Sequence, residues 1–401
     1  MRKFFFPFLI KIFLFVFGIF LFPNQIFSQP KLTHKVYLIG NISELKPSSK
    51  YFQQLVQNLN QEKQPISLLV LGDMSLKNRG DNGPIFNKEI LEGFNQVKNE
   101  NVKIHFISGD MDWDNSGKDG WNHVKQLEIY LKTNVTANHS FSPDDGCPGP
   151  HEIEIDESLV IITINSQWFM HPHERPELTE SSCDILFESE FWEELESLID
   201  DHEDKNIIIA AHHPIYSNGY HSGKVSNWKN YIPLYGGIYE SYRQQDGTPR
   251  DMRNKQYQNY TNHLRKIANE HHGVVYVAGH EFNTEIIKKD DNFFINNGTS
   301  YKGRKLALGK NTLFGSAELS YSLIHYFDDG AVEMKVFNEN GKVLFDDNLL
   351  CPNCSEDTSI ICEAINHRYM PCKEMKAYPV DENFVKNLKD RTTSILSLIH
   401  I

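Results

Sequence analysis

Residues 207–214 read Ile-Ile-Ile-Ala-Ala-His-His-Pro. An apolar run this short, closed by a proline, is the pattern of a buried β-strand. It delivers two imidazoles, His212 and His213, at its carboxyl end, where open α/β sheets gather their ligands. Working outward, other runs end in the same way. Residues 36–40 lead into Asn41, 68–72 into Asp73, 104–109 into Asp110 and 274–279 into His280. Strands that each release a polar side chain at the same relative point predict one sheet edge carrying the chemistry.

Between residues 35 and 279 strand and helix alternate. Strands are expected at 36–39, 67–71, 103–107, 207–211 and 274–278, with a hairpin of 153–155 and 159–164. Helices are expected at 49–59, 86–98, 122–131, 188–202 and 255–271. This is a repeated βα layer whose sheet is buried on both faces. After residue 279 the helical pattern stops. Runs at 284–288, 293–296, 321–327 and 332–337 are separated by Asp-Asp, Asp-Asp-Gly and Glu-Asn-Gly turns, as in antiparallel strands. The change of pattern predicts a second sheet packed on the first, in one α/β domain from about residue 35 to 350.

Residues 1–28 read as a signal peptide, with a basic head at Arg2 and Lys3, an apolar run at 12–22, and Ser28 as a small residue for cleavage. Export is expected, to a periplasmic, outer-membrane-associated or extracellular location. The formal net charge of −13 argues against a nucleic-acid partner. Six cysteines in an exported chain suggest disulfides. Cys147 and Cys183, which flank the hairpin, are expected to pair. Cys351, Cys354, Cys362 and Cys372 lie in a Cys-rich tail, 351–401, with two disulfides expected there and a zinc knuckle as the alternative. The terminal string Leu-Ser-Leu-Ile-His-Ile reads as non-native sequence, so the tail is expected to be truncated and the natural chain to continue.

Between Pro214 and Asp251 periodicity is weak and aromatics are dense: Tyr216, Tyr220, Trp228, Tyr231, Tyr235, Tyr239 and Tyr242, with His221 among them. A long segment of this kind in a compact domain is expected to be a lid over the site.

Strand-end carboxylates and imidazoles together are what a divalent metal needs. Any one of them alone is more often a turn residue or a satisfied core histidine. Their order along the chain resembles the calcineurin-like metallophosphoesterases, and within them the secreted branch similar to purple acid phosphatases. The matching blocks are Gly40-Asn41-Ile42-Ser43, Gly72-Asp73-Met74-Ser75, Gly109-Asp110-Met111-Asp112, His212-His213-Pro214 and Gly279-His280-Glu281-Phe282. Gly146-Cys147-Pro148-Gly149-Pro150, Gln167-Trp168 and the segment 217–221 fit the same branch. The resemblance implies a four-layer αββα sandwich of two packed mixed sheets, with the site at the sheet edges.

It also implies two metal sites, of which this chain keeps one. The first would use the positions of Asn41, Asp73 and Phe282. An amide stands there for a carboxylate and a phenyl ring for an imidazole, so that site is expected to be lost. The second would use Asp73, Asp110, His212 and His280, a set suited to one Zn, Fe or Mn ion. Met111 stands where the family has a histidine facing the leaving group, and a thioether can neither donate a proton nor carry charge. His213 and His221 remain as candidate catalytic groups. The expected function is a metallophosphoesterase-like protein whose phosphatase activity is weak or lost, a pseudoenzyme that retains one metal or a phosphorylated small-molecule ligand. The alternatives are an active mononuclear phosphoesterase, and a non-catalytic module joined to the outer membrane through a missing C-terminal extension.

Overall fold

The computed structural model describes residues 30–76, 85–176, 182–185, 187–222, 241–245 and 247–350. The expected signal peptide, the expected Cys-rich tail and residues 223–240 of the aromatic segment, with Trp228, Tyr231, Tyr235 and Tyr239, lie outside them. The chain divides after Lys31. Only Pro30 and Lys31 of the first unit are described, and the second unit carries everything below.

In chain order the strands are β1 (Leu32–Ile39), β2 (Ile66–Leu71), β3 (Val102–Ile107), β4 (His139–Phe141), β5 (His151–Asp156), β6 (Leu159–Ile164) and β7 (Asn206–Ala211). Then come β8 (Val275–Ala278), β9 (Thr284–Lys289), β10 (Asn292–Asn297), β11 (Thr312–Ser316), β12 (Ser320–Phe327), β13 (Val332–Asn338) and β14 (Val343–Leu350). The helices are α1 (Lys50–Gln61), α2 (Lys88–Gly93), α3 (Gly120–Asn134), α4 (Ser166–Met170), α5 (Glu188–Asp201) and α6 (Lys255–Glu270).

One sheet runs β14-β13-β12-β1-β2-β3-β4 and the other β11-β9-β10-β8-β7-β6-β5. Both are mixed. β1 to β4 are parallel neighbours while β12 lies antiparallel against β1. β6, β7, β8 and β10 are parallel, with β5 and β9 antiparallel beside them.

This arrangement corrects one expectation. The alternating part of the chain does not make one sheet and the helix-free part the other. The chain leaves the first sheet after β4 and builds β5 to β11 in the second. It then returns with β12 to cover the free edge of β1. Periodicity reports the burial of each strand and carries no information on which sheet receives it.

Side-chain alternation explains the layers. Val36 and Leu38 of β1, Leu69 and Leu71 of β2, Ile208 and Ala210 of β7, and Val275 and Val277 of β8 pack into one cluster between the sheets. Their alternate neighbours Tyr37, Ile39, Leu68, Val70, Ile207, Ile209 and Tyr276 face outward beneath the helices. Each central strand is buried on both faces, which is why these runs read as continuously apolar.

The helices supply matching stripes. α1 buries Tyr51, Phe52, Leu55, Val56 and Leu59, and Ser49 caps it by accepting from the Phe52 N–H at 3.3 Å. α6 buries Tyr257, Tyr260, Leu264 and Ile267 behind an Asn254 cap. The expected 86–98 helix is shorter. It ends at Gly93 and tightens into a 3-10 turn over Phe94–Gln96. The Asn95 and Asn99 amides bond backbone carbonyls of α3 and α1, which ends the helical pattern. Cys147 and Cys183 form a disulfide, with Cα atoms 5.5 Å apart.

Candidate metal centre

Register brings the strand ends to one level. Ile39 sits beside Val70, Leu71 beside Ile107, and Ala211 beside Ala278. The residues just beyond those pairs are Asn41, Asp73, Asp110, His212 and His280, all fully buried. Three of them bend sharply: Asn41, Asp73 and His280 have φ of 55°, 58° and 60°. Left-handed backbone at non-glycine residues is costly and tends to collect at functional sites. Gly72 is required where the sheets meet, because a Cβ there would fall 2.4 Å from the His212 ring.

Hydrogen bonds fix two of the imidazoles. His212 Nδ1 lies 2.8 Å from the Leu71 carbonyl and His280 Nε2 lies 2.9 Å from the Arg250 carbonyl. A carbonyl only accepts, so each of those nitrogens carries the proton and the other keeps its lone pair. Those lone pairs face the carboxylates. His212 Nε2 is 3.4 Å from Asp73 Oδ1 and 3.8 Å from Asp110 Oδ1, and His280 Nδ1 is 3.7 Å from Asp110 Oδ2. A ligand imidazole backed by a carbonyl through its other nitrogen is the usual support of a metal site.

One ligand atom from each of Asp110, His212, His213 and His280 lies within 4.8 Å of all the others. Asp73 borders this group. Its Oδ1 accepts the Met111 N–H at 3.1 Å, and its Oδ2 is buried without a hydrogen-bond partner. Asp110 Oδ1, His212 Nε2, His213 Nε2 and His280 Nδ1 are likewise buried without a hydrogen bond, and Asp110 Oδ2 has only an ion pair with Arg250. Groups of this kind are rare in folded proteins and each calls for a partner. The donor set fits a borderline divalent cation, with Asp110, His212 and His280 at its centre and His213 or Asp73 beside them.

Protonation agrees with that fit. Burial pushes His212 down to about 4, against the opposing charge of Asp110. Burial and then neighbouring imidazoles hold His213 and His280 well below the usual histidine range. Burial thus favours the neutral form of all three rings, the form that ligates a metal. Burial raises the Asp110 carboxyl, but the Arg250 guanidinium and then His212 and His213 bring it down to about 2. Asp73 is raised well above the usual range by burial and then by the Asp110 charge.

Opposite this group the same edge is closed. The Asn41 amide donates to the carbonyls of Glu281 (3.3 Å) and Gly298 (3.1 Å) and accepts the His280 N–H (3.0 Å). It ties two loops together. The buried Phe282 ring packs edge-on to Tyr301 at 5.9 Å, with the Arg304 guanidinium 5.0 Å over its face. Met111 is buried among the site residues.

The two candidate catalytic histidines both reach the centre. His213 sits 4.5 Å from His280, ring to ring, and His221 lies 4.4 Å from His280 at the partly exposed mouth. His221 is held by Glu281, a buried carboxylate that accepts its N–H at 3.0 Å and the Ser217 hydroxyl at 3.1 Å. Glu285 grips the neighbouring Asn218 in the same way. The described start of the aromatic segment is therefore pinned to β9 and the turn before it.

Sequence reasoning missed Arg250, Glu281 and Asp112. Asp112 accepts the N–H groups of Gly109 (2.8 Å), Met74 (2.9 Å) and Ser75 (2.8 Å), clamping the two aspartate loops together. Arg250 forms an ion pair with Asp110. The readable signal was charge: two buried aspartates at one edge call for a cation, and the sequence reading supplied only a metal.

A family profile described as calcineurin-like phosphoesterase matches residues 37–337. No curated protein sequence matches the chain. Among solved structures, GAP50, the anchor in the inner membrane complex of Plasmodium, is 16% identical with a TM-score of 0.49, covering 85% of this chain and 98% of its own. Purple acid phosphatase PPD1 from yellow lupin seeds is 12% identical with a TM-score of 0.45, covering 79% of this chain and 53% of its own. PhoD is 8% identical with a TM-score of 0.43, covering 79% of this chain and 72% of its own.

Proposed function

The chain belongs to the calcineurin-like phosphoesterase family, and from that premise we propose that it is an exported member holding one metal ion and hydrolysing phosphoesters weakly or not at all. One observation carries this reading. Asp110 Oδ1 and one nitrogen each of His212, His213 and His280 are buried without a hydrogen bond, while Asn41 is saturated and Phe282 is apolar. An unsatisfied buried polar group costs about 1–3 kcal/mol, so a cluster of them favours a bound cation.

Asp110, His212 and His280 would hold that ion, with His213 or Asp73 as a fourth donor, and Zn, Fe or Mn suits such a set. When bound, the ion supplies positive charge to a phosphoryl oxygen and lowers the pKa of water. The chain's own residues offer less than the reaction needs. Met111 cannot protonate a leaving oxygen. Asn41 and Phe282 cannot build the second half of a two-ion clamp. His221, whose ring is tilted against that of His280 at the mouth, is the group best placed to meet a phosphorylated small molecule. The leader and the Cys147–Cys183 disulfide support export to an oxidising compartment.

The test is elemental analysis of the purified chain after Mn²⁺ or Zn²⁺ loading, with turnover of an activated aryl phosphate measured on the same sample. One ion and near-background turnover are expected. Two tightly held ions would refute the reading. Rapid turnover abolished by His212→Ala would replace it with an active mononuclear enzyme.

A further inference from the structure

Arg250 is the residue at this edge that the metal reading leaves unused. Its guanidinium pairs with Asp110 Oδ2, the oxygen that also faces the His280 lone pair at 3.7 Å. The other Asp110 oxygen faces His212. The guanidinium therefore rests on the very carboxylate that the imidazoles surround.

Its position is built. Arg250 Nη1 donates to Asn115 Oδ1 at 3.2 Å, and the Asn115 N–H returns to the Asp110 carbonyl at 2.8 Å. The loop that begins at Asp110 thus closes on the arginine that neutralises it. On the other side, the Arg250 carbonyl accepts from His280 Nε2. The next residue, Asp251, is clasped by Arg243 through two bonds of 2.7 Å. The main chain is anchored from both sides, while the side chain remains 23% exposed and has a way out.

We propose that Arg250 is a resident counter-ion that competes with the metal for Asp110. An ion coordinated by Asp110 and His280 would need donor bonds of about 2.0–2.2 Å, in the space beside Oδ2 that the guanidinium fills. Two cations on one buried carboxylate repel strongly where the dielectric is low. Metal entry therefore requires the guanidinium to swing outward. The Arg250 carbonyl stays behind to hold His280 in its ligating tautomer. Without metal, the arginine neutralises Asp110 and the site is self-sufficient. This inference rests on the one-metal reading above and deepens it.

The experiment compares wild type, R250Q and the double variant R250Q/D110N, each as the full purified chain. Mn²⁺ affinity is measured by competition with a chelating dye, and melting is followed with and without Mn²⁺. R250Q should bind Mn²⁺ at least about tenfold more tightly than wild type. Metal-free R250Q should melt below wild type, since it leaves Asp110 unpaired, and R250Q/D110N should recover part of that loss. Equal or weaker Mn²⁺ binding by R250Q, with wild type binding one ion, overturns the competition alone. No binding by either protein overturns it together with the metal reading. Should metal-free R250Q fail to fold, rescue by Mn²⁺ in R250Q and not in R250Q/D110N supports the competition, and failure of that rescue overturns it.

Discussion

The two halves of the strand-end edge differ in one physical respect. Around Asp110, His212 and His280, the atoms that face one another (Asp110 Oδ1, His212 Nε2 and His280 Nδ1) are buried with no hydrogen-bond partner, and Arg250 alone pairs with the other Asp110 oxygen. At Asn41 and Phe282 themselves, three hydrogen bonds and an aromatic contact leave no side-chain polar atom unsatisfied. The backbone bends are alike, with φ of 55° at Asn41 and 60° at His280. The difference teaches that one scaffold can keep the shape of a ligand site on both sides while the side chains turn one side into mortar. An orphaned polar atom marks the half still open to a ligand.

The largest effect should come from breaking the open half. Replacing His212 or Asp110 with alanine should take bound metal from one ion per chain to none, read by elemental analysis. His213→Ala and Asp73→Ala then sharpen the contrast. Whichever lowers Mn²⁺ affinity by about tenfold or more is the fourth donor, while the other should leave affinity nearly unchanged.

Next comes the attempt to reopen the closed half. Asn41→Asp together with Phe282→His and Met111→His should raise both metal stoichiometry and aryl phosphate turnover. Each single change should do little, because the ligands of one ion act as a unit. Three substitutions that fold, bind a second ion and stay inactive would place the remaining defect outside these side chains.

A smaller effect tests the mortar itself. Asn41→Ala removes an amide that ties β1 to the turn between β8 and β9. Denaturant unfolding should show a loss of about 1–3 kcal/mol, with metal affinity changed far less than by any change at His212. Equal losses of metal and stability would erase the distinction between the halves.

The smallest effect is one of pH, away from the edge. Burial lowers His34 to about 4 and, first among its causes, lowers His105 to about 3. Their folded pKa values lie below the unfolded one. The stability they contribute is therefore present above about pH 6.5 and lost as pH falls from there through about 4 for His34 and about 3 for His105. Burial raises Asp112 to about 6, which works in the opposite direction over part of the range. The histidine effect is isolated by variants: His34→Gln with His105→Gln should flatten the acid side of the melting profile.

Much of the fold was legible because each central strand is apolar on both faces and ends in a glycine or a polar residue. Residues 207–214 alone place a buried strand with its chemistry at one end. What could not be read was which sheet a strand joins, since β7 and β2 carry the same pattern in different sheets. β4, β11 and β14 escaped as well. β4 has only three residues, and β11 and β14 are half-exposed edge strands with Gly315 and Asp-Asp interrupting their alternation. At the site, Asp73, Asp110, His212 and His280 were legible as strand-end residues. Arg250 was not, because its place depends on a loop closing through Asn115 and on a carbonyl that meets His280. Neither leaves a periodic trace.

The bond from His212 Nδ1 to the Leu71 carbonyl has a mechanical consequence. It joins a residue just beyond β7 to β2, a strand of the opposite sheet, and the Asn41 amide makes a similar stitch from β1 to the turn after β8. The edge that would hold a ligand is thus also a seam between two halves of the molecule. Any motion that peels the sheets apart from this end must tear those stitches early. A ligand seated there would act as a clasp on the seam, slowing that peeling even if it never underwent any chemistry.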